Sequence, residues 1–216
     1  MNRDLSAALH DWLQAGLEQI GQIAIRKDGA GFALTHCEDI DRQDLELHTD
    51  PLAARLLSTY DDQNEFRPLK TAPNLRHGWR LILSDLPGLR LALDAFYPAM
   101  LGSWLSAQRT ELRPVHLRET LDRQSGMYAV TKKLTDTQGL HLVAESCNSE
   151  HGCLKTILWQ ISDAQSLRPT FPESKLDPHA DPRVTSGRLL PLLCGEACNL
   201  LVAKAREVVK KAVAAG

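Results

Sequence analysis

The sequence predicts an α+β fold, with mixed small sheets and flanking helices. Three observations carry this expectation. A helix-period stripe at the N-terminus runs directly into a hairpin signal, a β-branched and aromatic run follows a cysteine at position 153, and a long amphipathic helix closes the chain. Strands and helices do not alternate regularly, and no internal repeat is present, so a doubly wound or solenoid architecture has no support.

In residues 4–20, Leu5, Leu9, Trp12, Leu13, Leu17 and Ile20 share one stripe, which predicts a helix over that range with an apolar core face. Ile23 and Ile25, then Phe32 and Leu34, flank Asp28-Gly29-Ala30-Gly31 and predict a hairpin. His36 and Cys37 end its second strand, and the expectation there is a buried thiol beside a surface imidazole. Residues 38–50 are acidic and polar, and Thr49-Asp50-Pro51 reads as a cap opening a helix to about residue 60. The charged stretch up to Trp79, broken by Pro68 and Pro73, reads as a connector. It sets the expected division into an N-terminal helix and hairpin subdomain, 1–65, and a second domain, 66–216.

Trp79–Leu83 reads as a buried strand, and Ser84-Asp85-Leu86-Pro87 opens a helix to about residue 108, interrupted at Pro98, which lacks the N–H of the helix ladder. Val115 to Leu117 and Met127 to Lys132 suggest two strands around a Ser125-Gly126 turn. Thr135-Asp136 caps a helix that delivers Cys147 at its end, and L-K-T-I-L-W-Q-I after Cys153 reads as a buried strand. Residues 162–187 are rich in Ser, Pro and Asp and predict a long irregular loop. The final helix, 197–215, places Leu200, Leu201, Ala205, Val208, Val209 and Val213 inward and Lys204, Arg206, Lys210 and Lys211 outward.

A chain of 216 residues builds a core without covalent staples. A net charge of -2 with 24% charged residues argues against a general nucleic-acid or membrane-surface binder, and no segment has the length of an apolar span. The N-terminus lacks the basic and apolar regions of a signal peptide, so the expected location is cytoplasmic. Thiols stay reduced there, which turns the reading of the cysteines from disulfides to metal binding or catalysis.

Four of the five cysteines form two clips, Cys147 and Cys153 in S-C-N-S-E-H-G-C and Cys194 and Cys198 in L-C-G-E-A-C-N, with Cys37 left over. Four thiolates are what a 4Fe-4S or 2Fe-2S cluster needs. Cys194 and Cys198, four apart, share one face of a helical first turn, and the start of the final helix brings unpaired N–H groups and a positive dipole end to a negative cluster. Asn148, Ser149 and Gly152 make a loop able to fold the first clip around one edge. Structural zinc is the alternative metal: the second pair fits a zinc knuckle while the first is too widely spaced, and His151 is a substitute ligand. Unrelated buried thiols and a redox dithiol are the remaining readings, the last weakened because neither pair is C-x-x-C. The cluster reading is preferred.

The strings F-Y-P-A-M-L-G-S-W, L-R-P-V-H-L-R-E-T-L-D-R-Q-S-G-M-Y, C-N-S-E-H-G-C-L-K-T-I-L-W and L-P-L-L-C-G-E-A-C-N-L-L-V-A-K-A-R resemble the 4Fe-4S cluster-binding domain found C-terminal to chelatase-like domains of the sirohydrochlorin cobaltochelatase type. The resemblance runs from about residue 66 to 214. It implies that Cys147, Cys153, Cys194 and Cys198 are the cluster ligands. Residues 1–65 are too short for a chelatase-like domain and show no βα repeat with metal-binding histidines, so chelatase activity is not carried over. The cysteine spacing is also similar to that of thioredoxin-like 2Fe-2S ferredoxins. A helix rather than a strand is expected after the second pair here, which ranks 4Fe-4S above 2Fe-2S.

The expected function is therefore an iron–sulfur protein for electron transfer, or an accessory to tetrapyrrole or other metal-cofactor metabolism, working with a redox partner or a cofactor enzyme. A competing expectation is an enzyme in which the cluster, or Arg118, Glu119, Asp122, Arg123 and Tyr128, acts on a bound substrate. A structural-zinc interaction module is the third. No Gly-rich phosphate loop, Ser-His-Asp order or H-E-x-x-H motif supports phosphoryl transfer, serine hydrolysis or zinc proteolysis.

Overall fold

The computed structural model describes residues 2–112, 115–147, 152–162, 165–166 and 188–214. In chain order its first half holds α1 Asn2–Gln14, β1 Gln19–Ile20, β2 Ile23–Asp28, β3 Gly31–His36, β4 Glu46–His48, α2 Ala53–Leu57, β5 Trp79–Leu83, α3 Leu86–Phe96 and α4 Met100–Gln108. The second half holds β6 Val115–His116, α5 Leu117–Asp122, α6 Tyr128–Thr131, α7 Asp136–Ser146, β7 Thr156–Ile157, β8 Trp159–Ser162, β9 Gln165–Ser166, β10 Leu189–Leu190, β11 Leu193–Cys194 and α8 Asn199–Ala214. The architecture is α+β. Most of the proline-rich stretch 162–187, and Asn148, Ser149 and His151, lie outside the described residues.

The first helix stops short of the predicted residue 20. Gly16 takes φ +97°, and the Leu17 N–H turns back to the Trp12 carbonyl at 2.9 Å while the Gly16 N–H reaches Leu13, a Schellman ending. Leu17 and Ile20 still enter the same core as Leu9 and Trp12, which is why their spacing imitates a continuing helix. The hairpin forms as expected, with β2 and β3 paired from Ile23–His36 to Asp28–Gly31 and Gly29 at φ +57° in the two-residue turn.

Six strands form the main sheet, in the order β10-β1-β2-β3-β5-β4. The acidic segment supplies an unpredicted edge strand, β4, which pairs parallel to β5 with its side chains largely in solvent. The Asp85 side chain accepts the Gly88 N–H to start α3. At Pro98 the expected interruption is a full break: Tyr97 leaves helical geometry, Ala99 adopts a left-handed φ of 61°, and α4 starts afresh. Helices α1, α3 and α4 bury Trp12, Phe96 and Trp104 with Trp79 of the sheet in a first apolar core.

Residues 61–79 do not separate two cores. Leu75 and Trp79 belong to the same core as Leu9 and Ile23, and the buried Arg67 guanidinium donates to the carbonyls of Ser58, Lys70 and Ala72 and to Asn74 Oδ1. The changeover falls later in the chain. A second core gathers Leu117, Leu121, Met127, Leu142, Val143, Trp159 and the inner face of α8, while Leu154, Leu190, Leu192 and Leu193 return to the first.

Three further local expectations differ. Residues 128–131 form a single helical turn, not a strand: Met127 is fully buried, and the Thr131 hydroxyl bonds the Asp122 carboxylate and the Met127 carbonyl, closing the turn on itself. Leu117 begins α5 after only two strand residues. The run after Cys153 is two short strands, β7 pairing with β11 and β8 with β6 and β9, so the chain changes sheets at Leu158. On α8 Leu201, Ala205 and Val209 are buried as predicted, but Val213 near the free end is 60% exposed.

Candidate metal centre

Each cysteine is delivered by a different local device. Thr135 and Gln138 form a capping box at the start of α7, and Cys147 is the C-cap at its other end, its N–H bonded to the Val143 carbonyl at 2.8 Å. Cys153 sits one residue before Leu154, whose N–H donates to the Thr71 carbonyl at 2.6 Å. Cys194 ends β11, opposite Ile157, and its carbonyl accepts the Leu158 N–H at 2.9 Å. Cys198 is the residue before α8; its Sγ accepts the Leu201 N–H at 3.4 Å and its carbonyl accepts the Val202 N–H. A thiol thus occupies the N-cap position of a helix of 16 residues, where negative charge on sulfur is favoured.

Cys194 is not on the first turn of a helix with Cys198, as its spacing suggested. Pro191 cannot donate to a helix ladder, and Leu192 and Leu193 are buried in the first core, which draws the chain straight up to position 194. The two residues still converge. All four cysteines line one cavity of about 60 Å³, walled also by Thr71, Ile157, Trp159 and Leu201. None of the four is in a disulfide.

The cavity lies where the two cores meet. Cys147 is part of the second core and Cys198 packs against it, whereas Leu154 and Leu193, next to Cys153 and Cys194, are buried in the first. Cys147 and Cys198 thus side with the second core, and Cys153 and Cys194 adjoin residues of the first.

Burial pushes the Cys147 thiol well above its ordinary value, and the nearby Cys194, Cys153 and Cys198 sulfurs push it further. Cys153 is also raised by burial, against the opposing pull of the Thr71 hydrogen bond and Lys155. Both shifts favour the neutral thiol, so a cation binding at these sulfurs would have to displace their protons.

The sulfurs are spread apart. Among the described residues, the one group of three or more His, Cys, Asp or Glu ligand atoms all within 4.8 Å of one another is His36, Glu38 and His77, so no three of the four sulfurs come that close. Zinc–sulfur bonds of about 2.3 Å would hold tetrahedral sulfurs roughly 3.8 Å apart.

The polar string proposed as a substrate site is used otherwise. Arg118 donates to Leu134 O and pairs with Asp136, Asp122 accepts from Thr131, and Tyr128 lies exposed under the Lys132 ammonium. Arg123 donates to the Gly195 carbonyl, bracing the loop between Cys194 and Cys198. None of these residues, nor Glu119, lines the cysteine cavity.

Two features were not predicted. Thr71 Oγ1 lies 2.7 Å from Cys153 Sγ, a contact across 82 positions for which the sequence holds no local signal. The second is the His36, Glu38 and His77 group: His36 is fully buried, its Nδ1 accepts the Glu38 N–H, and its ring centroid lies 3.8 Å from that of His77, while Asp39 accepts from Gly78 and Arg42. Imidazole and thiol are reversed from expectation here, with His36 inside and Cys37 half-buried away from the cavity. Register pairing of β3 with β2 and β5 brings His36 to His77, so neither residue's neighbours announce it.

Comparison with known proteins divides the chain in two. Residues 109–207 match the model of the 4Fe-4S iron–sulfur cluster binding domain, so a domain of that kind is present. Residues 5–109 match the DR2241 stabilising domain. Among solved structures, the chain is similar to DR2241 from Deinococcus radiodurans, a multi-domain protein with structural similarity to chelatases and two additional novel domains, at 28% identity and a TM-score of 0.75. That match covers 97% of this chain and 41% of the other, so the chain resembles only part of that protein. No match is found among curated proteins.

Proposed function

We propose that Cys147, Cys153, Cys194 and Cys198 hold a 4Fe-4S cluster, and that the chain is a cluster-bearing accessory unit for metal-cofactor chemistry of the chelatase kind, including tetrapyrroles. The observation that carries this reading is the convergence of all four cysteines on one cavity. The donor set suits the group: four sulfurs, an N-cap position at Cys198 and apolar walls from Ile157 and Trp159. When bound, such a cluster supplies one-electron chemistry or a structural clamp. The match at 109–207 supports 4Fe-4S over 2Fe-2S and over zinc.

The similarity to part of a chelatase-like multi-domain protein supports a chelatase-like unit, on the same polypeptide or another, as the partner. A reducing compartment such as the cytoplasm fits free thiols of this kind. Among the described residues no helix is long and apolar enough to cross a membrane.

Anaerobic purification tests the reading. The expected protein is brown, contains iron and acid-labile sulfide in equal amounts, and loses its broad visible absorption with dithionite. Electron paramagnetic resonance of the reduced form reports the cluster type. A colourless anaerobic preparation with zinc in place of iron overturns it. Serine at any one of the four cysteines should lower iron content, while Cys37→Ser should leave it unchanged.

A further inference from the structure

We infer that the N-terminal half completes the cluster site, with Thr71 acting as a positioning and potential-setting residue through a hydrogen bond from its hydroxyl to the Cys153 sulfur. The inference rests on the cluster reading above and goes beyond it, because Thr71 lies in the segment matching the stabilising domain, outside the segment matching the cluster-binding domain.

Thr71 is 7% exposed, and its Oγ1 to Cys153 Sγ distance of 2.7 Å is short for a contact to sulfur. In the free thiol either atom can donate. A coordinated cysteine is a thiolate with no proton, so the threonine hydroxyl must then be the donor.

The backbone around Thr71 is fixed on both sides. Its carbonyl accepts the Leu154 N–H at 2.6 Å, so residue 71 and the Cys153–Leu154 step are bonded twice, once through the main chain and once through the side chains. The carbonyls of the flanking residues, Lys70 and Ala72, both accept from the buried Arg67 guanidinium. The hydroxyl is thus held at the sulfur by the fold of the first core, with little freedom to turn away.

A hydrogen bond to a ligating sulfur stabilises the more negative, reduced state of a cluster more than the oxidised state. It therefore raises the reduction potential. Removing one should shift the reduction equilibrium about tenfold toward the oxidised form, equal to ~59 mV for a one-electron couple.

The test uses the full chain with its cluster, comparing wild type, Thr71→Val and Thr71→Ser by redox titration followed optically. Valine keeps the shape and removes the hydroxyl, while serine keeps the hydroxyl. The expected result is a potential lowered in the valine variant and near wild type in the serine variant. Cluster loss from the valine variant alone also supports the inference, because the hydroxyl is then needed to hold Cys153 in place. Equal potentials for wild type and T71V overturn it, as does cluster loss from both variants, which would assign Thr71 to packing. Wild type purified without iron and sulfide instead sinks the cluster reading, and this inference with it, before either variant is measured.

Discussion

Arg67→Met should be among the more damaging single substitutions in the first core, although Arg67 sits in a stretch whose composition reads as a loop. Its side chain is 3% exposed and donates to four acceptors: the carbonyls of Ser58, Lys70 and Ala72 and the Asn74 side chain. Lys70 and Ala72 are only half-buried and Asn74 is exposed, so water can replace the guanidinium at those three. Ser58 is fully buried, and its carbonyl has no such recourse. Deleting the charge also removes its own desolvation cost, so the net loss is set mainly by the stranded acceptor at 58, about 1–3 kcal/mol. Arg67→Lys should lose about half of that, because an ammonium cannot reach the same set of acceptors from one position. Urea denaturation of the full chain gives the magnitude from the midpoint at unchanged slope. A loss under about 0.5 kcal/mol for R67M, the level of an ordinary surface change, would refute the reasoning. The same variant should also retain less iron, since Thr71 lies between two of the carbonyls that Arg67 holds.

Asp39→Asn tests the polar corner beside His77. Burial opposes ionisation of Asp39, yet the Gly78 N–H, Arg42 and His77 together hold its carboxyl below the ordinary value of 3.8. Its contribution to stability is therefore full above that value and lost as pH falls through the lower folded value. At neutral pH D39N should cost about 2 kcal/mol by urea titration, with the gap to wild type closing in acid; a gap independent of pH would contradict this. Thr135→Ala removes one half of the capping box on α7 and should cost about 1 kcal/mol in thermal unfolding, whereas Thr135→Ser should be close to neutral.

How far the fold was legible depended on whether the signal was local. The hairpin was readable because the Asp28 to Gly31 turn carries its own chemistry, and α7 because Thr135 and Gln138 cap it within one turn. The same holds for the break at Pro98. Met127–Thr131 misled because a buried methionine beside β-branched residues scores as a strand, while the bonds that curl it lie within a few residues but depend on Asp122 across the turn. Cys194 was misplaced for a related reason: its four-residue spacing from Cys198 fits a helix, but Pro191 and the buried Leu192 and Leu193 straighten the chain first. At the candidate metal centre the cysteine pairs were visible because metal-binding thiols come in clips. Thr71 was not, since an isolated threonine in a polar stretch has no pattern of its own. The 61–79 stretch looked like a boundary because prolines and charges resemble a linker; what anchors it is one buried arginine, a residue type ordinarily read as surface.

With the proposed cluster bound, four sulfurs where the two cores meet would form a rivet as well as a ligand cage. Iron supply, oxygen or a chelator would then act on how firmly the two halves of the chain grip each other. Stripping the metal should loosen the joint before it melts either half, so that hydrogen exchange quickens first at Leu154, Ile157 and Leu193 and only later within the β2–β3 hairpin. A protein built this way would report the state of the proposed cluster as a change in its own stiffness.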